Sequence, residues 1–124
     1  MRNDTSFGDI AIINKTYHFY LSLNNTINTI PKKDRFTIGA KCEDITLNII
    51  EMFYEANAKY GQNRLIALQS VDTRLKILQT LIRALFDIKA IDDKKFLKLS
   101  ESLIEIGKML GGWIKITPKV KPLS

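Results

Sequence analysis

This sequence of 124 residues contains one cysteine and one histidine, and each shortage excludes particular bonds or metal sites. The single cysteine, Cys42, excludes an internal disulfide and indicates a reducing compartment. With one histidine, His18, and no C-x-x-C or H-x-x-x-H spacing, a zinc site is not expected. The carboxylates lack the Glu-x-x-His motifs of di-metal bundles. We therefore expect no catalytic residues, no metal and no cofactor.

Long hydrophobic runs are also missing. No stretch of about 18 apolar residues occurs, so a transmembrane helix is not expected. The first residues, M-R-N-D-T-S-F-G-D, lack the apolar core of a signal peptide. With 45% hydrophobic and 26% charged residues, the composition is that of an ordinary globular domain. These features predict a cytoplasmic, single-domain protein without membrane association.

A basic excess is the clearest feature of the composition. Nineteen Lys and Arg against thirteen Asp and Glu give a formal net charge of +6. Such an excess favours nucleic acid, an anionic membrane or an acidic protein surface as partner, or serves solubility alone. No RNA-recognition motif, zinc finger or G-x-x-G clamp is visible. Binding of RNA or DNA would therefore act through backbone charge, without strong sequence preference.

Helical periodicity organises most of the chain. Apolar residues recur at steps of three and four in segments 34–58, 64–88 and 92–113. In the last two segments the stripes are Leu68, Val71, Leu75, Leu78, Ile82, Leu85 and Phe96, Leu99, Leu103, Ile106, Leu110, Trp113. A weaker stripe in 9–29 comprises Ile13, Tyr17, Tyr20, Asn24 and Ile27. No segment alternates with period two, so strands are not expected.

Short connections between these segments determine the predicted architecture. Pro31, Gly61 and Asp92 lie near the expected helix starts, and Asp92 or Asp93 can cap the fourth helix. Consecutive helices with short connections pack antiparallel, so we predict an all-α, up-down-up-down four-helix bundle. The predicted divisions are a flexible N-terminus at 1–8, the bundle at 9–116 and a basic flexible tail at 117–124.

Several helices carry apolar residues on a second side. These residues are Leu47, Ile50 and Tyr54 on the second helix, Leu97 and Ile104 on the fourth, and Phe19 and Leu23 on the first. A helix that is apolar on two sides must bury both, and monomers rarely expose large apolar patches. The second stripes on the second and fourth helices therefore predict an oligomer interface. A wide core stripe is the alternative.

The segment I-G-K-M-L-G-G-W-I-K-I at 106–116 combines glycines with the only tryptophan. Gly107 and Gly111 are four residues apart and predict a notch over which a neighbouring helix packs closely. Gly112 predicts a helix end or bend, and Trp113 continues the apolar stripe to close the bundle. A phosphate-binding glycine loop is excluded because its G-K-[ST] ending and preceding strand are absent.

Basic residues outnumber acidic ones on the third helix: Arg74, Lys76, Arg83 and Lys89 against Asp72 and Asp87. Lys76 and Arg83 are seven residues apart and so lie about 20° apart around the helix. These four basic residues are the candidate phosphate or partner contacts. The alternative is a solvated face on which Arg83 pairs with Asp87.

Three segments resemble a known family. They are P-K-K-D-R-F-T-I-G at the start of the second helix, D-x-x-L-x-x-L-x-x-x-I-R-x-L from Asp72 to Leu85, and E-I-G-K-M-L-G-G-W-I-K at 105–115. The first resembles the four-helix-bundle family of ribosomal-RNA intervening-sequence proteins. The last is most similar to its Avd-like branch, the accessory variability determinants of diversity-generating retroelements. The resemblance covers about residues 13–116.

The resemblance implies properties that composition and spacing do not. It implies a bundle that assembles as a homopentamer, binds nucleic acid and a reverse transcriptase, and has no catalytic activity. An interaction module of the intervening-sequence type, with a protein partner or a structural role, is the alternative. In the family an additional basic residue often stands one turn before the residue matched by Arg83, and here that position is Gln79. This departure bears on binding strength and not on the fold.

Overall fold

The computed structural model describes residues 7–119 and is helical throughout, without a strand in that part of the chain. The four helices are α1 (Phe7–Ile27), α2, α3 (Gly61–Asp87) and α4 (Asp93–Ile116). Helix α2 is composite: a turn at Lys32–Asp34 and a π-helical segment at Arg35–Gly39 lead into the α-helix Ala40–Asn57. Among the described residues, no helix combines the length and the hydropathy needed to cross a bilayer.

The helices form a closed ring in which each contacts its two neighbours, in the order α1, α2, α3, α4 and back to α1. Consecutive helices are joined by short connections and run antiparallel, so the predicted all-α, up-down-up-down bundle is confirmed. The core lies on the axis of this ring. Its fully buried members include Ile49, Phe53, Leu68, Leu78, Ile82, Leu103 and Ile106.

The helix ends follow local rules. The Asp92 carboxylate accepts a hydrogen bond of 2.9 Å from the Lys95 backbone N–H and so caps α4, as predicted. At the end of α3, the Ala90 N–H donates to the Leu85 carbonyl at 2.9 Å, which closes a Schellman motif. Lys89 occupies the left-handed position of that motif with φ of 66°, where glycine is the usual residue.

The predicted termini lie partly outside the described residues. Residues 1–6 and 120–124, which belong to the predicted flexible ends, are not described. Helix α1 begins at Phe7, two residues before the predicted start of the bundle. At the other end, Thr117 is buried, and its hydroxyl donates to the Trp113 carbonyl at 2.7 Å. Thr117 lies one residue beyond the predicted end of the bundle, so the buried part of the chain extends at least that far.

The predicted core stripe of α1 is wrong by one residue at four of its five positions, while Ile27 is buried as predicted. The buried positions are Ile12, Thr16, Phe19, Leu23, Thr26 and Ile27, whereas Tyr17 is 50% exposed. Phe19 and Leu23 are therefore core residues and not part of a second stripe. The shift has a physical cause, since the Thr16 hydroxyl donates to the Ile12 carbonyl at 2.8 Å and thereby satisfies its polar group inside the helix.

The interpretation of the glycines in α4 also needs correction. The helix runs through Gly111 and Gly112 without a break and ends at Ile116, so the predicted helix end at Gly112 is wrong. A Cβ added at Gly107, Gly111 or Gly112 would meet no atom within 4 Å. Within the described chain, no neighbouring helix packs closely over these glycines. The expected notch for a helix of the same chain is therefore wrong as well.

Trp113 closes one end of the bundle, as its place in the apolar stripe predicts. Its ring is 6.1 Å from that of Phe53 and 5.8 Å from the Arg64 guanidinium. Arg64 also donates to the carbonyls of Ala56 and Asn57, at 3.0 and 3.1 Å. These carbonyls lie at the end of α2, where that of Ala56 also accepts from the Lys59 N–H at 3.1 Å, so Arg64 adds a side-chain cap to α2 from the first turn of α3. This basic residue therefore serves the fold.

The thiol of Cys42 is expected to be inert in the folded protein. Burial, and secondly the negative charge of Glu43, raise its pKa from 9.0 to about 12, so the thiolate is not formed near neutral pH. Labelling with a thiol reagent at pH 8 should proceed only as fast as the protein unfolds, and quickly in guanidinium. Rapid labelling without denaturant would contradict this burial.

The same shift predicts a pH dependence of stability. Above pH 9 the unfolded Cys42 thiol loses its proton, while the folded thiol, with a pKa of about 12, keeps it. The unfolded state then binds fewer protons, so the contribution of this group to the free energy of unfolding falls as pH rises through that range.

Candidate nucleic-acid and subunit interfaces

The four basic residues predicted as one site on α3 lie at different places. Arg74 and Lys76 are two residues apart, which places them about 160° apart around the helix. Lys76 and Arg83 share the flank opposite Arg74, and Lys89 lies beyond the end of α3 in the connection to α4. The fold therefore brings Lys76 and Arg83 onto one flank and separates the other two from them.

Both basic residues of this flank form ion pairs along the helix. The Lys76 Nζ lies 2.9 Å from an Asp72 carboxylate oxygen, and the Arg83 Nε lies 3.7 Å from one of Asp87. The side chains of the second pair are 75% and 61% exposed. Exposed pairs of this spacing are worth about 0.3–0.5 kcal/mol, so a phosphate group can replace the carboxylate at little cost.

A first apolar surface lies along α1 and α2. The Asn24 side-chain amide donates to the Glu43 carboxylate at 2.7 Å, which places these two residues on the facing flanks of the helices. Leu47, Ile50 and Tyr54 follow Glu43 at four, seven and eleven residues and so continue the same flank. Leu47 is 47% and Tyr54 is 60% exposed, while Ile50 is half-buried.

Helix α1 contributes matching residues to this surface. Tyr20, Tyr17 and Ile13 precede Asn24 at four, seven and eleven residues. Because α1 and α2 are antiparallel, this stripe runs beside that of α2. Together the two stripes form the α1–α2 face, whose members are Ile13, Tyr17, Tyr20, Leu47, Ile50 and Tyr54. Tyr17, Leu47 and Tyr54 are 50%, 47% and 60% exposed, so the described chain leaves about half of each of these three residues accessible.

A second apolar surface lies on α4. The α4 stripe consists of Leu97, Ile104, Gly107 and Gly111, and Leu97 and Ile104 are 57% and 51% exposed. Phe96 stacks on Phe86 of α3 with ring centres 4.5 Å apart, which fixes the side of α4 that is turned towards α3. The α4 stripe flanks this side. In the ring of helices it therefore lies opposite the α1–α2 face.

The residues that could bind a metal or act in catalysis do not lie close together in the described chain. Within the described residues, no three His, Cys, Asp or Glu side chains are close enough to hold a metal ion together. His18 is exposed, and its ring lies edge-on to that of Tyr17 at 5.3 Å. Cys42 is buried in the core, so the two residues do not form a catalytic pair.

One grouping of charge was not visible from the spacing of residues. The Lys95 Nζ, at the start of α4, donates to the Thr29 hydroxyl at 3.1 Å, beyond the end of α1. This contact joins the connection between α1 and α2, just before Lys32 and Lys33 at the start of α2, to the first turn of α4. The only signal in the sequence was a pair of lysines close to the start of each following helix, at 32–33 and 94–95.

The fold and these surfaces can be compared with known proteins. Among proteins of curated function, none matches this chain. The sequence model of the family described as bAvd-like matches residues 10–117, which include the greater part of α1 and all of the other three helices. All three segments that carried the resemblance lie within the matched range. The chain therefore belongs to the bAvd-like family.

Proposed function

We propose that this protein is a non-enzymatic accessory protein of a diversity-generating retroelement, and that it binds nucleic acid and reverse transcriptase as a basic homo-oligomer. Membership of the bAvd-like family is the observation that carries this proposal, since the match spans the bundle. The family-level role is that of an accessory protein and not of a catalyst. The net charge of +6 and the two uncovered apolar surfaces support the finer parts of the proposal.

The arrangement of the apolar surfaces favours a ring-shaped assembly. The α1–α2 face and the α4 stripe are different surfaces on opposite sides of one bundle. Contact between the first of these in one subunit and the second in the next is heterologous, and such contacts close into a ring when the rotation permits. The subunit number of five rests on the family resemblance.

Nucleic-acid binding is supported by the accessible flank of Lys76 and Arg83. Both side chains are exposed on the surface of α3, and each already forms an ion pair with a carboxylate oxygen. Phosphate oxygens accept hydrogen bonds from the same ammonium and guanidinium groups. Binding through such contacts weakens with salt, with a slope of log K against log salt of about −0.9 per phosphate for duplex and about −0.7 for single strands.

Replacing Lys76 and Arg83 together by glutamate should weaken binding to DNA or RNA. Each lost contact lowers the salt slope by about one, and the new negative charges repel the phosphates. Titrations of a labelled oligonucleotide over a range of salt concentrations measure both effects. Circular dichroism should remain unchanged, because neither side chain is buried. Co-purification with a co-expressed reverse transcriptase of a diversity-generating retroelement tests the protein partner in parallel.

The matched control is Arg74→Glu compared with Arg83→Glu. Both changes reverse one charge on the exposed surface of α3, but on opposite flanks. The proposal expects a larger loss for Arg83→Glu. If the double substitution leaves binding of nucleic acid and reverse transcriptase unchanged, Lys76 and Arg83 serve only in helix-surface ion pairs, and this flank is not the site.

A further inference from the structure

A polar groove runs between α1 and α4 close to the end of the bundle where α1 ends and α4 begins. Its lining residues are Ser22, Asn25, Thr26, Thr29, Lys95 and Lys98. No carboxylate and no large apolar side chain belongs to this lining. The polar groups of the groove are therefore hydroxyls, amides and ammonium groups, which proteins use to contact phosphate oxygens.

The two lysines of the groove keep their charge available. The Lys95 Nζ is held by a neutral group, since the Thr29 hydroxyl accepts its hydrogen bond and in turn donates to the Thr26 carbonyl at 2.7 Å. No carboxylate of the described residues forms an ion pair with Lys95 or Lys98. Lys76 and Arg83 on the α3 flank differ from these two lysines, because each of them forms an ion pair with an aspartate.

A neighbouring depression extends this basic region around the α3–α4 connection. It shares Thr29 and Lys95 with the groove and adds Lys89 and Lys94. The depression also contains three aspartates, of which Asp92 is engaged as the cap of α4. The depression therefore carries as many aspartates as lysines, whereas the α1–α4 groove carries two lysines and no carboxylate, so a polyanion bound in the groove would release counterions without meeting a negative charge in its lining.

We infer that the α1–α4 groove binds the sugar–phosphate backbone of a nucleic acid, with Lys95 and Lys98 contacting phosphates. The Ser22 hydroxyl and the Asn25 amide donate further hydrogen bonds from α1, and Thr29 positions Lys95. This inference rests on the proposed nucleic-acid binding and adds a contact surface separate from the α3 flank. A nucleic acid fits better than a lipid bilayer or a protein hot spot, because the groove offers no apolar side chain to insert or to bury.

The test compares Lys95→Gln/Lys98→Gln with Lys41→Gln/Lys59→Gln, which removes the same charge from exposed positions on the far side of the bundle. Binding of a labelled, mixed-sequence single-stranded DNA is measured by anisotropy at several salt concentrations. We expect the groove variant to lose roughly tenfold or more in affinity and about two in the magnitude of the salt slope. The control should lose much less. Neither lysine is buried, so the groove variant should retain the fold, which circular dichroism checks.

Lysine acetylation of the wild-type protein gives a second readout that needs no variant. Lys95 and Lys98 should be protected by bound DNA, while Lys41 and Lys59 remain reactive. Equal binding by the two double variants, or no protection, would overturn the groove while wild-type binding preserves the proposed function. A wild type that binds no nucleic acid would overturn both. Loss of binding to anionic vesicles alone in the groove variant would assign the groove to a lipid surface instead.

Discussion

Replacing Trp113 with alanine is expected to lower the free energy of unfolding by about 3–5 kcal/mol. Trp113 is only 6% exposed, and it packs on Phe53 from α2. Its ring also lies under the Arg64 guanidinium, which holds the last carbonyls of α2. Removal of the ring therefore leaves a cavity and loosens the side chain that caps α2, so packing and capping are lost together.

Tyr60→Ala provides the control for this prediction. Tyr60 lies against the same guanidinium, at 5.7 Å, but is 78% exposed. Its loss removes an exposed cation–π contact and should cost less than about 1 kcal/mol. Denaturant unfolding followed by circular dichroism at one protein concentration compares the two variants without the tryptophan signal. Similar losses for both would show that Trp113 does not act through burial.

The core of the bundle was predictable where aliphatic residues alone fill it. On α3, the predicted stripe Leu68, Val71, Leu75, Leu78, Ile82 and Leu85 is buried throughout. On α1 the prediction failed because threonine occupies core positions and bonds to the carbonyl four residues earlier. Thr46 in α2 does the same with Cys42, at 2.8 Å. A pattern of polar and apolar residues does not show that a threonine hydroxyl is hydrogen-bonded within its own helix and can therefore be buried.

The π-helical segment of α2 was not predicted either. It ends at Gly39, where a Cβ would lie 3.0 Å from the Ile27 side chain and 3.1 Å from the Asp34 carbonyl. The glycine thus permits the end of α1 to pack closely on α2. The requirement for glycine comes from a residue on another helix and from the π-helical backbone itself, and the spacing of apolar residues indicates neither.

Functional surfaces were predictable only within single helices. Spacing places Lys76 and Arg83 on one flank of α3, and the fold agrees. Spacing does not show which helix ends are adjacent, so the contact of Lys95 with Thr29, 66 residues away, was missed. The predicted interface residues of α2 and α4 are exposed or half-buried on opposite sides of the ring, an arrangement that follows from packing and not from either stripe.

Replacing Ile104 with glutamate is expected to lower the assembly state of the protein without melting the bundle. Ile104 is 51% exposed in the α4 stripe, so a charge there is tolerated in one subunit but not in a buried contact. Light scattering should show a multiple of the 14.2 kDa chain for the wild type and a smaller species for the variant. Ile66→Glu is the control, because Ile66 is 52% exposed but lies beside α2, outside both apolar surfaces. A monomeric wild type, or equal effects of the two variants, would remove the α4 stripe from any interface.

The glycines of α4 test the same contact from the opposite direction. Nothing in the described chain lies within 4 Å of a Cβ at Gly111 or Gly112, so either alanine should stabilise the isolated bundle by about 1 kcal/mol. The two positions point about 100° apart around the helix, and only Gly111 belongs to the α4 stripe. If a second subunit packs closely over that stripe, Gly111→Ala weakens assembly although it strengthens the helix, whereas Gly112→Ala strengthens the helix and leaves assembly intact. Light scattering on dilution and thermal melting separate the two effects. Intact assembly in both variants would mean that no subunit approaches the helix backbone at Gly111.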